Sequence, residues 1–300
     1  MSFYIATLNL LPFRELPESF WSEFCIENVS LDDEQPIEIF DSGKYKLLVR
    51  TDKDGRIKTV IYQSNLERKF DTFKDEAIRK IIKSLNRLEI AFIAPVNFLK
   101  LHSPSRKTKY ENNLTIEVLN PDKSQEFLPK EVKVYAVGGI NVPKRLPKAS
   151  LKEINNILMI SQDNVDEYIE RFLSIRDLST DPVLHLVTLY SLFEYIGKTK
   201  GSNLSQSFEK VKKLGSNTNL EKVLRSTRHL VAHGFAGGKS IQEMKTGEIL
   251  KEFLGDTADT SGHYAFDRYN ESHLNLINEV IYEVQILIMR YLQKKLIICK

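Results

Sequence analysis

The 300-residue chain is 42% hydrophobic and 28% charged, which excludes a disordered or fibrous protein and leaves room for two modest domains or one large one. A formal charge of +3 is too small to make the whole surface attractive to a polyanion, so any affinity for phosphate has to be local. Cys25 and Cys299 stand at opposite ends without metal-ligand or redox spacing, which fits a reducing cytoplasm and no disulfide framework. Residues 1–8 lack the basic start and cleavage site of a secretory signal, and no apolar run approaches the roughly 18 residues that span a bilayer. The expectation is a soluble cytoplasmic protein with no membrane partner.

In chain order, the first half reads mainly as strands. The β-rich runs 45–50 and 57–62 flank Asp52-Lys53-Asp54-Gly55, and the Asp-Gly pair supplies the positive φ of a tight turn, so a hairpin is expected. The segment 70–88 reads as a helix, because Phe73, Ala77, Ile78, Ile81, Ile82, Leu85 and Leu88 recur at helical spacing with basic residues between them. Further strands are expected over 114–119 and 131–137, the second carrying Val132, Val134, Tyr135 and Val137. Pro143 and Pro147, with Lys144, Arg145 and Lys148, break the pattern and make a short linker. The expected organisation is a β-rich domain over 1–150 and a helical domain over 151–300, an α+β protein overall.

The second half switches to the helical period. Residues 164–177 are amphipathic through Val165, Tyr168, Ile169, Phe172 and Leu173. Asp181-Pro182 marks a helix start, and 183–196 is apolar almost all round, as the central helix of a bundle is. A basic helix over 205–214 ends at Gly215, and Asn217-Thr218-Asn219 opens a helix carrying Leu220, Val223, Leu224, Leu230 and Val231 that Gly234 stops. A mobile stretch with a short helix near 241–254 is expected over 235–263, then a long helix over 271–298.

The chemistry-bearing segment is Arg228-His229-Leu230-Val231-Ala232-His233-Gly234. Arginine offers a permanent, fork-shaped charge that suits phosphate, and histidine can take and give a proton near neutral pH. The two residues lie about 140° apart on an ideal helix at roughly 100° per residue. They can still meet in one cleft, since arginine is long and the histidine ends the helix. The same pair could serve only to complement the helix dipole and the last carbonyls.

With the helical setting of the second half, these residues resemble the HEPN superfamily (higher eukaryotes and prokaryotes nucleotide-binding). Its signature is arginine, a polar residue, three more residues and histidine, matched here by Arg228, His229 and His233. The segment Leu189-Tyr190-Ser191-Leu192-Phe193-Glu194-Tyr195-Ile196-Gly197 resembles the preceding helix of the Apea-like branch. The likeness covers residues 160–295, about half of the chain. It implies a helical bundle that dimerises and cleaves RNA without a metal or other cofactor, in settings such as anti-phage defence or toxins. Arg228 and His233 would then be catalytic, and His229, Glu194 and Arg225 would support catalysis or bind substrate. His233 would move the proton, Arg228 would hold the extra negative charge of the attacked phosphate, and two copies would double both groups. The alternative reading is a non-catalytic HEPN-like module that binds nucleotide, RNA or protein. The β-rich domain would carry an unidentified activating ligand or protein.

Rival chemistries lack their residues. His229 and His233 have the spacing of a helical metal pair but no intervening glutamate and no clear third ligand. Residues 234–240 lack the spacing of a phosphate loop, and no Gly-x-Ser-x-Gly elbow is present. Lys198, Lys200, Lys210, Lys212 and Lys213 precede the motif and could guide RNA, or form an ordinary solvated face. Arg106, Lys107, Lys109 and Tyr110 form a second basic loop suited to backbone contact and stacking, or plain surface.

Overall fold

A computed structural model describes residues 3–10, 25–27, 36–51, 55–92, 114–119, 148–160, 164–177, 181–197, 204–212, 218–233, 235–236, 264–265 and 269–297. The strands are β1 (Phe3–Asn9), β2 (Cys25–Ile26), β3 (Ile37–Asp41), β4 (Tyr45–Thr51), β5 (Ile57–Ser64), β6 (Leu114–Leu119), β7 (Lys148–Ala149), β8 (Phe235–Ala236) and β9 (Tyr264–Ala265). The helices are α1 (Phe70–Phe92), α2 (Leu151–Met159), α3 (Val165–Asp177), α4 (Pro182–Gly197), α5 (Leu204–Lys212), α6 (Thr218–His233) and α7 (Glu271–Ile297). Among the described residues the five-stranded antiparallel sheet falls within residues 3–119 with α1 between its strands, and the other helices follow it, so the class is α+β. No helix among the described residues is long and apolar enough to cross a membrane.

Five strands form an antiparallel sheet in the order β3-β4-β5-β1-β6. The expected hairpin is β4 and β5, and the strand over 114–119 is β6 at the sheet edge. The register pairs Leu47 with Tyr62 and Val49 with Val60, and on the other side Ala6 with Tyr62 and Leu8 with Val60. Since side chains alternate along a strand, these six fall on one face, and none is more than 1% exposed. That face receives α1, whose Phe73, Ala77, Ile81, Leu85 and Leu88 are buried. The Phe73 ring lies 5.6 Å from that of Tyr62 and 5.2 Å from that of Tyr4. Each such buried large side chain contributes about 1.5–3 kcal/mol, so this interface is the first unit's core.

Gly55 shows why the turn needs glycine. Its φ is +80°, and a Cβ there would sit 2.5 Å from the carbonyl oxygen of Ile26. The approach is close because Ile26 N donates to the Gly55 carbonyl at 2.8 Å, while β2 pairs in parallel with β7.

Helix α2 was not anticipated from the apolar pattern. It starts with a capping box: Glu153 N donates to Ser150 Oγ at 3.3 Å, and Ser150 N donates to Glu153 Oε2 at 3.0 Å. It packs against α1 and β3 through Ile154, Ile157 and Leu158. Arg87 of α1, only 4% exposed, donates from one Nη1 to the carbonyls of Ile157 at 3.2 Å and Leu158 at 2.9 Å. Among the described residues the sheet-bearing unit accordingly runs up to Ile160, and the helical unit takes over from Asn164.

In the helical unit, Asp181 Oδ1 accepts from Val183 N at 2.9 Å, and Pro182 fills the first turn, where its missing N–H costs nothing. Helix α4 packs against α3, α5, α6 and α7. Leu186, Leu189, Leu192, Phe193 and Ile196 are buried there, and the Phe193 and Phe208 rings stack at 5.6 Å. The central helix read at 183–196 is therefore central in the fold.

Most of the stretch after α6 that is expected to be mobile lies outside the described residues. Phe235 pairs with Ala265 and Ala236 with Tyr264 in an antiparallel ladder, which closes the two ends of the intervening segment on each other. The strand expected over 131–137, the helix near 241–254, and Gly215 and Gly234 fall outside the described residues.

Candidate functional site

Helix α6 explains how its polar residues reach a surface. Val223, Leu224, Ser226, Thr227 and Leu230 are buried, which turns Glu221, Lys222, Arg225, Arg228 and His229 toward the remaining sides. Arg228 and His229 are half-buried, and Arg225 is exposed. The helix runs unbroken to His233, so an axial step of about 7.5 Å separates Arg228 from His233 along the backbone. The side chain of His233 lies outside the described residues.

Arg228 meets α4. Its guanidinium carbon stands 5.3 Å from the ring centroid of Tyr190. The Tyr190 hydroxyl is held above its ordinary value, first by burial and then by the charge of Glu194; Arg228 and Arg225 pull the other way. Glu194 is exposed and one turn beyond Tyr190, and it acts on that hydroxyl by its charge. The structure thus gathers Arg228, Arg225 and Glu194, three residues singled out from sequence, around a tyrosine that was not.

The two arginines differ in their attachments. Arg225 donates to Glu221 Oε1 at 3.2 Å and to Ser205 Oγ at 3.0 Å, and the Ser205 hydroxyl donates to the same glutamate oxygen. Among the described residues Arg228 has no hydrogen bond or ion pair, only the ring beneath it. A guanidinium that no carboxylate among the described residues engages keeps its N–H donors available to an anion.

The neighbouring basic cluster is partly committed to the fold. Lys210 donates to the carbonyls of Ile196 and Gly197, the last turn of α4, where a cation satisfies orphan carbonyls and complements the dipole. Lys198, Lys200, Lys213 and residues 106–110 lie outside the described residues, as does the side chain of Lys212. No three His, Cys, Asp or Glu side chains are grouped to hold a metal ion among the described residues.

Tyr190 carried a signal in the sequence. It precedes Glu194 by four residues, and on a helix buried almost all round such a pair marks a shared polar spot. The arginine that completes the spot comes from α6, and sequence spacing cannot bring two helices together.

Compared with known protein families, with curated proteins and with solved structures, the chain matches none.

Proposed function

We propose that the helical unit is a HEPN-type, metal-independent endoribonuclease that works as a homodimer. Arg228 and His233 carry the reaction, and His229, Glu194 and Arg225 support it. The observation that carries this reading is half-buried Arg228, which has no hydrogen bond or ion pair among the described residues and lays its guanidinium over Tyr190, on the helix that ends in His233. In-line attack of a ribose 2′-hydroxyl on the neighbouring phosphate adds negative charge to the phosphoryl oxygens. A planar fork of N–H donors stabilises that charge where water would have to reorganise. His233 takes the hydroxyl proton or returns one to the leaving 5′-oxygen, and a second copy across a twofold axis supplies the complementary group. The sheet-bearing unit senses an activating ligand or protein.

The test is incubation of RNA with wild type and with His233→Ala in excess chelator, followed by analysis of the ends. Fragments ending in 2′,3′-cyclic phosphate from wild type alone are expected. Activity that vanishes in chelator and returns with magnesium or manganese overturns the mechanism.

A further inference from the structure

We infer that Tyr190 is a positioning residue for Arg228: its ring holds the guanidinium in one plane and leaves the N–H edge facing outward. This rests on the reading of Arg228 as the phosphate-holding group. Three features lead to it. The guanidinium carbon lies 5.3 Å from the Tyr190 centroid, within the range at which a cation is held by an aromatic face. Nothing else among the described residues fixes Arg228, so without the ring its long side chain would sample many rotamers. Tyr190 itself stands on α4, which packs against four helices, so it is a stiff support.

Glu194, one turn along α4, acts on the tyrosine hydroxyl by its charge. Burial and the carboxylate both disfavour the phenolate, so the tyrosine presents a neutral ring to Arg228. Glu194 therefore acts on Arg228 through Tyr190. An arginine whose plane is set before substrate arrives loses less freedom when it binds the phosphate, and the gain falls mainly on turnover.

The experiment measures kcat and KM for RNA cleavage with Tyr190→Leu, Tyr190→Phe, Arg228→Ala and the double variant Tyr190→Leu/Arg228→Ala. In parallel it measures affinity for an RNA whose 2′-hydroxyl at the cut site is replaced by hydrogen, which binds without reacting. Tyr190→Leu is expected to lower kcat about tenfold with little change in KM, and Tyr190→Phe to recover most of that loss, since the ring is what carries the cation. In the Arg228→Ala background Tyr190→Leu should have no further effect. An equal loss from Tyr190→Leu in both backgrounds overturns the inference, because a packing role does not need Arg228. Should Tyr190→Leu fail to fold, Tyr190→Met fills the space with a flexible chain and serves the same comparison. If wild type binds the unreactive RNA but cleaves nothing, the nuclease reading fails alone. Non-additive losses of affinity in the same variants then still support the positioning role, and additive losses overturn it. Absence of wild-type binding overturns both.

Discussion

Gln285 of α7 and His185 of α4, one hundred positions apart, meet with Nε2 of each 2.8 Å from the other, and both side chains are buried. An amide nitrogen can only donate, so the imidazole Nε2 accepts and its proton sits on Nδ1. The ring is thus neutral, and burial pushes its pKa from 6.5 down to about 4. In the unfolded chain the histidine takes up a proton near its ordinary value, so between these values the unfolded state binds more protons. The neutral histidine's contribution is complete above about pH 6.5 and is lost as pH falls toward 4, amounting to roughly 3 kcal/mol. Urea unfolding at several pH values, for wild type and His185→Leu, should show the difference between the two shifting in favour of the variant as pH drops. A difference that stays constant from pH 7 to 4.5 contradicts the assignment.

Gly55→Ala should destabilise the sheet-bearing unit by at least about 2 kcal/mol. Positive φ costs an L-residue roughly 1–2 kcal/mol, and the new methyl would meet the Ile26 carbonyl at 2.5 Å, so β2 has to move. Gly43→Ala is the control: φ there is +77°, but nothing stands within 4 Å of the added carbon. Denaturant midpoints for the two variants separate backbone strain from the close approach. Equal losses would show that contact with Ile26 is unimportant.

The Asp-Gly turn, the α1 stripe through Phe73, Ile81 and Leu88, and the Asp181-Pro182 start are local patterns, and each was legible because period or turn chemistry fixes it within a few residues. Strand β1 is hard to read: Tyr4, Ala6 and Leu8 form only half an alternation, and Ala6 and Leu8 are recognisable as core once Tyr62 and Val60 stand opposite them. Helix α2 was hidden for another reason. Its capping box at Ser150 and Glu153 lies directly after a proline-rich stretch read as linker, and its packing partner α1 is some seventy residues earlier in the chain. At the candidate site, Arg228, Arg225 and Glu194 stood out by residue type, whereas Tyr190 acquires its meaning from the contact between α4 and α6.

Arg87→Leu should cost about 3 kcal/mol, more than an average substitution. The variant keeps apolar bulk but removes the buried donor to the carbonyls of Ile157 and Leu158; Ile157 still accepts from Ile160 N, whereas the buried Leu158 carbonyl loses the donor that Arg87 gives it and carries a desolvation penalty. Ser150→Ala, which removes the other end's cap, should cost nearer 1 kcal/mol. If Arg87→Leu proves as stable as wild type, water replaces the guanidinium and α2 is held by its apolar face alone.

The sharpest outcome concerns the motif itself. His233→Ala removes the proton carrier and Arg228→Ala the charge stabilisation, so each should lower turnover at least about a hundredfold, with the double variant far short of additive. The fold should survive Arg228→Ala, because Arg228 is half-exposed and its truncation breaks no hydrogen bond or ion pair among the described residues. Arg228→Lys is the discriminating change. Lysine keeps the charge over Tyr190 but loses the planar fork, so binding should weaken less than turnover does. A charge-only role predicts that Arg228→Lys behaves as wild type, and a purely structural role predicts that Arg228→Ala lowers the melting temperature and turnover together. Only a selective fall in kcat, with melting unchanged, matches an arginine that works on the reacting phosphate.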